Sequence, residues 1–142
     1  MTVTRPECPQ FFTATNLWWK PLLKEDAHKE IVISSLRFLA EQERISMHAF
    51  VLMPNHIHLI WKMKTGHKHE NVQRDFLRYT GQQIKFLLQK NDPAFLERFR
   101  VDGKDRQYQL WERNSWGKAL WTPTVYHQKP EYIHNNPVKK GY

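Results

Sequence analysis

Two adjacent β-type segments in the middle of the chain constrain the fold more than any other feature. ISMHAFVLM (45–53) and HIHLIWKMK (56–64) are both rich in β-branched and aromatic residues. Only Pro54-Asn55 separates them, and both residue types favour turns. Because so short a connection joins antiparallel neighbours, the sequence predicts a β-hairpin.

Two long amphipathic segments flank this hairpin and predict helices at 24–44 and 71–90. The first has an apolar stripe of Ala27, Ile31, Leu36, Leu39 and Ala40, which Ile33 and Phe38 widen. The second has a stripe of Val72, Phe76, Leu77, Ile84, Leu87 and Leu88. Gly81 is expected to weaken the second helix by about 1 kcal/mol relative to alanine.

The remaining segments complete an alternating order of strands and helices. Residues 10–19 and 107–113 read as strands, 91–105 as irregular with a turn at Asp102-Gly103, and 122–137 as a terminal helix that Thr122 caps. The order β-α-β-β-α-β-α predicts an α+β, ferredoxin-like domain, with an antiparallel sheet and helices on one face. No linker divides the chain, so a single domain over 1–142 is expected.

The charge of the chain favours a polyanionic partner. The 142 residues carry 22 Lys+Arg against 14 Asp+Glu, a net charge of +8. Nucleic acid is the first candidate partner, and a merely soluble basic protein is the alternative. The single cysteine, Cys8, rules out an intrachain disulfide. No apolar run approaches the roughly 20 residues of a membrane helix, and the N-terminus lacks a signal-peptide core, so we expect a cytoplasmic protein without membrane contact.

Two histidines in the second hairpin strand are candidate metal ligands. His56 and His58 are two residues apart, so in a strand they project side by side from one face. Two imidazoles so placed can chelate one divalent cation if a third ligand comes from elsewhere. The alternative is a pair of ordinary surface histidines bound to water or backbone. A second such pair, His67 and His69, lies in a predicted loop beside a lysine and is not expected to bind metal.

The predicted terminal helix carries a second candidate pair. Tyr132 and Asn136 are spaced i, i+4 and therefore share one face of a helix. The Asn136 amide oxygen is a possible third metal ligand, and the Tyr132 phenol is a possible nucleophile. A phenol with a pKa of about 10 is a weak nucleophile at neutral pH, so it needs a cation that polarises its target. A tyrosine packing its ring on the sheet is the alternative.

These motifs together resemble a known family. The stretches PNHIHLI (54–60), LMPNH (52–56), LWERN (110–114) and YIHNNPVKKGY (132–142) are similar to those of the HUH-type single-tyrosine transposases, REP-associated tyrosine transposases most of all. The resemblance runs from about Phe11 to Tyr142. HxH alone is a weak signal, but HxH after MPN combined with the YIHNNPV ending is specific.

The resemblance implies a reaction and a set of residues. Members cut and rejoin single-stranded DNA, often beside a hairpin, through a 5′-phosphotyrosine intermediate. Carried over to this chain, Tyr132 is the nucleophile, and His56, His58 and Asn136 hold Mg²⁺ or Mn²⁺. Some members are dimers, so the resemblance allows a homodimer. It also implies that the protein acts on DNA in a bacterial-type cytoplasm.

Two other functions remain open from the sequence. Pro130, two residues before the tyrosine, departs from the family pattern and would kink or restart the helix. A hairpin-binding module that no longer cuts DNA is therefore one alternative. A metal-dependent phosphodiesterase that uses water as nucleophile is the other.

Basic and aromatic residues supply candidate DNA contacts. For each basic residue, the alternative interpretation is a solvent-exposed side chain that contacts no DNA. Among the tryptophans, Trp18 and Trp19 are candidate stacking platforms, as are Trp111, Trp116 and Trp121, although most are expected in the core or at its rim. The basic candidates are Arg74, Arg78, Lys85, Lys62, Lys64, Lys139 and Lys140.

Overall fold

A computed structural model describes residues 9–113 and 116–119 of the chain. The strands are β1 (Pro9–Thr15), β2 (Ile45–Met53), β3 (His56–Met63) and β4 (Trp116–Ala119). The helices are α1 (Asp26–Glu41), α2 (His69–Asn91) and α3 (Pro93–Glu97). The predicted hairpin and both long helices are confirmed within a few residues of the expected bounds.

The four strands form one antiparallel sheet in the order β2-β3-β1-β4. The hairpin partner β3 lies between β1 and β2, so Thr13 pairs with His58 and Val51 lies on the other side of that histidine. This order is that of a ferredoxin-like domain, and the predicted α+β fold class is confirmed.

Alternation along the strands assigns one face of the sheet to the helices. Phe12, Ile57, Leu59 and Trp61 are fully buried in a core that they share with apolar residues of α1 and α2. Trp61 stacks on Phe12 with ring centroids 5.2 Å apart, and its indole N–H donates to Oε1 of Gln10 at 2.8 Å. Because neighbours in a strand point to opposite faces, His56 and His58 lie on the face away from these helices.

That opposite face has a smaller apolar cluster of its own. Phe11, Ala49, Val51 and Ile60 are buried there, and Met53 packs against them. The histidine face is therefore only partly polar, and the imidazoles border a dehydrated surface.

The first strand is shorter than predicted. It ends at Thr15, and two 3₁₀ turns follow, at Leu17–Trp19 and Leu22–Lys24. Trp18 and Trp19 have φ values of 54° and 58°, in the left-handed region, so they cannot continue a strand. Composition alone favoured β structure here, and backbone contacts to distant segments overrode it.

The prediction for residues 91–113 was wrong in two places. A short helix, α3, forms where irregular chain was expected, because Asp92 caps it and Pro93 occupies its first position. The expected strand over 107–113 is reduced to isolated bridges, Asn16 with Trp111 and Arg100 with Tyr108. The sheet edge beside β1 is occupied by β4 instead.

The apolar stripe of α1 also differs from the predicted one. Phe38 is 57% exposed, and Val32, which was not predicted to face the core, is buried. Leu36 and Leu39 are buried as predicted. In α2, Val72, Phe76, Ile84 and Leu88 are buried as predicted. Leu77 and Leu87 lie at the margin of the core.

Some predictions fall outside the described residues. The terminal helix at 122–137 is among them, with Pro130, Tyr132, Asn136, Lys139 and Lys140. Within the described part of the chain, no helix combines the length and apolar character needed to cross a membrane.

Candidate functional site

The two histidines of β3 lie side by side at the start of the strand, as alternation predicts. The ring centroids of His56 and His58 are 4.8 Å apart, and the ring planes are inclined at 80°. Both side chains are half-buried. Two imidazoles this close can approach one small cation together.

The ring of His58 is held from the neighbouring strand. Oγ1 of Thr13, its pairing partner in β1, lies 3.0 Å from Nδ1 of His58. Phe11 stacks on the same imidazole with centroids 5.5 Å apart. Because Nδ1 is engaged by the hydroxyl, Nε2 is the nitrogen suited to a metal.

The ring of His56 is held by the hairpin turn itself. Oδ1 of Asn55 lies 2.7 Å from Nδ1 of His56, while Nδ2 of Asn55 donates to the carbonyl of Trp19 at 3.3 Å. Because the amide nitrogen is used as a donor, the oxygen must accept, and the proton of His56 lies on Nδ1. In the neutral ring the lone pair is then on Nε2, which can bind a metal.

The turn that carries Asn55 is fixed by the backbone of an adjacent loop. Asn16 N donates to the carbonyl of Asn55 at 2.9 Å, and Leu23 N donates to the carbonyl of Pro54 at 2.8 Å. The asparagine that orients His56 therefore cannot swing away without breaking contacts between distant segments. Such rigid support is typical of a functional site.

The histidine pair fits a cation but does not complete its coordination. Imidazoles whose Nδ1 atoms are each hydrogen-bonded to an oxygen are a common ligand arrangement for divalent metals. Among residues 9–113, no group of three or more His, Cys, Asp or Glu side chains comes together. Any third ligand must be of another type or come from outside these residues.

The second histidine pair lies at the start of α2. His69 is the first residue of α2 and is buried, and its pKa is lowered by burial, which the charge of Glu70 opposes in part. His67 lies before the helix and is half-exposed. The two rings do not form a cluster with a third ligating side chain in the described part of the chain.

Lys62 lies on the histidine face, two strand positions beyond Ile60. Burial, and then the charge of Lys62, lowers the pKa of His48 on β2. Lys64 follows the strand end and pairs with Glu43 at 3.6 Å. Of these two predicted DNA contacts, Lys62 lies in β3 and Lys64 follows it.

The predicted basic residues of α2 lie elsewhere. Arg74, Arg78 and Lys85 line an open groove between α2 and the segment 105–113. Arg106 and Arg113 lie on the opposite wall of this groove. Because α2 packs on the other face of the sheet, the structure does not bring this basic groove together with the histidines.

The described tryptophans separate into two groups. Trp111 is buried, and its indole N–H donates to Oγ1 of Thr80 at 3.1 Å, so it belongs to the core. Trp18 and Trp19 are 54% and 63% exposed, and the Trp19 ring lies 6.1 Å from the ring of His56. Sequence alone gave no reason to place this exposed pair beside the histidines.

Comparison with solved structures identifies similar folds. One is a REP-associated tyrosine transposase bound to a REP hairpin, with a TM-score of 0.65 and 18% identity, covering 99% of this chain and 75% of the other. Another is a Deinococcus radiodurans R1 protein assigned as a transposase, with a TM-score of 0.61 and 15% identity, covering 95% of this chain and 97% of the other. No protein-family model and no curated protein sequence matches the chain. The fold shared with these two structures confirms, at the level of the fold, the resemblance that the motifs predicted.

Proposed function

We propose that this protein is a metal-dependent transposase that nicks and rejoins single-stranded DNA through a phosphotyrosine. The observation that carries the proposal is the pair of imidazoles, 4.8 Å apart, each held through Nδ1 by an oxygen of Asn55 or Thr13. The shared fold with a transposase bound to a REP hairpin supports the same function.

The metal in this proposal is Mg²⁺ or Mn²⁺, held by His56, His58 and the amide oxygen of Asn136. Imidazoles alone would also suit Zn²⁺, but an amide oxygen and phosphate oxygens as further ligands favour the harder ions. When bound, the ion would polarise the phosphodiester and stabilise charge in the transition state. The protein orients both imidazoles before any metal arrives, through the Asn55 and Thr13 contacts.

The nucleophile in this proposal is the phenol oxygen of Tyr132. It attacks the phosphorus, a P–O bond forms to the tyrosine, and the bond to the 3′ oxygen breaks. The phenol loses its proton, and the departing 3′ oxygen gains one. The 5′ phosphate stays joined to Tyr132, so a 3′ hydroxyl can reverse the step and reseal DNA without ATP.

The DNA in this proposal is single-stranded with a hairpin. Lys62, on the histidine face but toward the other end of β3, would contact phosphates away from the cleaved bond, and Arg74, Arg78 and Lys85 would hold another part of the strand. Lys64, Lys139 and Lys140 are further candidate phosphate contacts. The net charge of +8 supports binding to such a polyanion.

The test is a cleavage assay with repeat hairpins from the DNA flanking the gene. Labelled single strands are incubated with Mg²⁺, Mn²⁺ or EDTA and separated on a denaturing gel, beside the Tyr132→Phe and His56→Ala variants. The proposal expects a slowly migrating covalent adduct that needs metal and is lost in both variants. Tyr126→Phe serves as the matched control and should keep the adduct.

Two results would redirect the proposal. Cleavage without an adduct that persists in Tyr132→Phe would indicate a phosphodiesterase with water as nucleophile. Hairpin binding without cleavage under either metal would indicate a non-cutting DNA-binding module, and Pro130 would then be the first residue to replace.

A dimer is tested by mixing His56→Ala with Tyr132→Phe. Recovered cleavage in the mixture requires the tyrosine of one subunit to act with the histidines of its partner.

A further inference from the structure

Two consecutive tryptophans project from the loop beside the candidate metal site. Trp18 and Trp19 are 54% and 63% exposed. The ring of Trp19 lies edge-on to His56 with centroids 6.1 Å apart. Rings this exposed contribute little to the core.

The backbone under these rings is strained. Both residues have left-handed dihedral angles, with φ of 54° and 58°. For a residue with a Cβ atom, this conformation is sterically unfavourable. Strain of this kind persists only where surrounding contacts impose it, and it concentrates at functional sites.

Contacts from distant segments impose this conformation. Oε2 of Glu112 accepts from Trp18 N at 2.7 Å, the side chain of Asn55 donates to the Trp19 carbonyl, and Trp19 N donates to the carbonyl of Asn16 at 2.9 Å. Glu112 N in turn donates to the carbonyl of Thr15 at 2.7 Å. The backbone is rigid while the side chains remain in solvent, which is the arrangement of a preorganised binding surface.

The shared anchor at Asn55 couples this surface to the metal site. One amide of Asn55 binds the Trp19 carbonyl through Nδ2 and the His56 ring through Oδ1. The position of the tryptophan pair is therefore fixed relative to the imidazole that would meet the scissile phosphate. A base attached to a nearby nucleotide would lie within reach of an indole face.

We propose that Trp18 and Trp19 form a platform on which bases of single-stranded DNA stack, next to the phosphate held at His56 and His58. This assignment rests on the proposed function and names the substrate contact beside that site. Indole rings stack on every base, so the platform holds unpaired nucleotides without reading their sequence. The platform would therefore bind an unpaired strand, whose bases are available for stacking, more tightly than a duplex, whose bases are stacked on each other.

The test compares two ligands of equal charge without metal. Binding of a short oligothymidylate is measured beside an abasic strand of the same length, by fluorescence anisotropy at low salt. We expect the wild-type protein to prefer the strand with bases by about 5- to 150-fold for each stacked base. Trp18→Gly and Trp19→Gly should each lose part of this preference while their affinity for the abasic strand is unchanged.

Matched variants separate a binding role from a structural one. Phe38→Ala removes an aromatic ring of similar exposure from α1, on the other side of the molecule, and should leave the preference intact. Trp19→Phe should retain much of it. The glycine variants should also have an unchanged or raised free energy of unfolding, because glycine adopts positive φ without strain.

Three outcomes would overturn the platform. These are equal preference in the glycine variants and the wild type, unfolding of the glycine variants, and no wild-type preference for bases. Because the assay needs neither metal nor cleavage, its result is independent of the covalent chemistry. Preference for bases without a Tyr132 adduct would contradict the proposed reaction and leave the platform standing.

Discussion

At the scale of single residues, the orientation of the imidazoles depends on two polar neighbours that bind no metal themselves. Thr13 engages His58 from the adjacent strand, and Asn55 engages His56 from the turn. Outer contacts of this kind typically contribute 10- to 100-fold in metal affinity, because they fix the ring and its tautomer.

Thr13→Val tests this contribution, since valine keeps the shape and removes the hydroxyl. We expect the affinity for Mn²⁺ to fall by about 10- to 100-fold. Electron paramagnetic resonance of free Mn²⁺ during a titration measures it without any DNA. The matched control is Thr15→Val, opposite His56 in the same strand, which should bind as the wild type does. Equal loss in both variants would show that Thr13 acts only through strand stability.

Alternation along β3 predicted that the two histidines share a face, but nothing local predicted their partners. The contact between Thr13 and His58 joins residues 45 positions apart and depends on the register of β1 against β3. The left-handed conformation of Trp18 and Trp19 could not be predicted from the local sequence either, because Asn55 and Glu112 impose it from elsewhere in the chain. The alternation of residues in a strand predicts which face of the sheet a side chain lies on. The hydrogen-bond partners on that face depend on which distant segments pack together.

At the scale of elements, Gly81 illustrates how packing changes a propensity argument. It lies inside α2, where a Cβ atom would meet Cδ1 of Trp111 at 3.6 Å, an ordinary van der Waals distance. The glycine is therefore not required by close packing in the described residues.

Gly81→Ala should raise the free energy of unfolding by about 0.5–1 kcal/mol, because alanine loses less backbone entropy in a helix. Urea denaturation monitored by circular dichroism measures the change. Gly66→Ala is the contrasting variant: space there is open, but φ is +90°, so alanine should destabilise the protein. A loss of stability in Gly81→Ala would show that Trp111 cannot accept the added methyl group.

The segment 105–113 shows where an alternating pattern was misleading. It has strand-like alternation, yet it forms a wall of the basic groove, and a side-chain network anchors it to α3. Arg100 donates to both carboxylate oxygens of Glu97, at 2.8 and 2.9 Å, and the hydroxyl of Tyr108 donates to Oε2 at 2.6 Å. The cap at Asp92-Pro93, in contrast, was a readable signal for α3.

This network predicts a pH dependence of stability. The hydrogen bonds from Arg100 and then Tyr108 lower the pKa of Glu97 from 4.5 to about 2. Because the folded pKa is depressed, the stabilisation is complete above pH 4.5 and is lost as the pH falls toward 2. Glu97→Gln should therefore be less stable than the wild type above that window and similar below it, in thermal melts over pH. A constant difference across the window would contradict the linkage.

At the scale of the whole molecule, the order of elements was enough to predict the ferredoxin-like sheet. The hairpin fixes β2 against β3, and crossover helices on one face then place β3 beside β1. The candidate functional residues are distributed over both sides of this sheet. The histidines and Lys62 lie on one face, while Arg74, Arg78 and Lys85 line a groove on the helix side. A DNA ligand that uses both must pass around an edge of the sheet.

The salt dependence of binding tests whether the groove on α2 holds DNA. Each phosphate contact to a single strand contributes about 0.7 to the slope of log affinity against log salt. Arg78→Ala should reduce the magnitude of that slope by about this amount, since Arg78 lines the groove. Lys90→Ala removes an equal charge from the exposed end of the same helix, away from the groove, and should change it less. If Arg78→Ala and Lys90→Ala act alike, the helix attracts DNA only through net charge. If Lys62→Ala alone changes the slope, DNA contacts only the histidine face and does not bind in the groove.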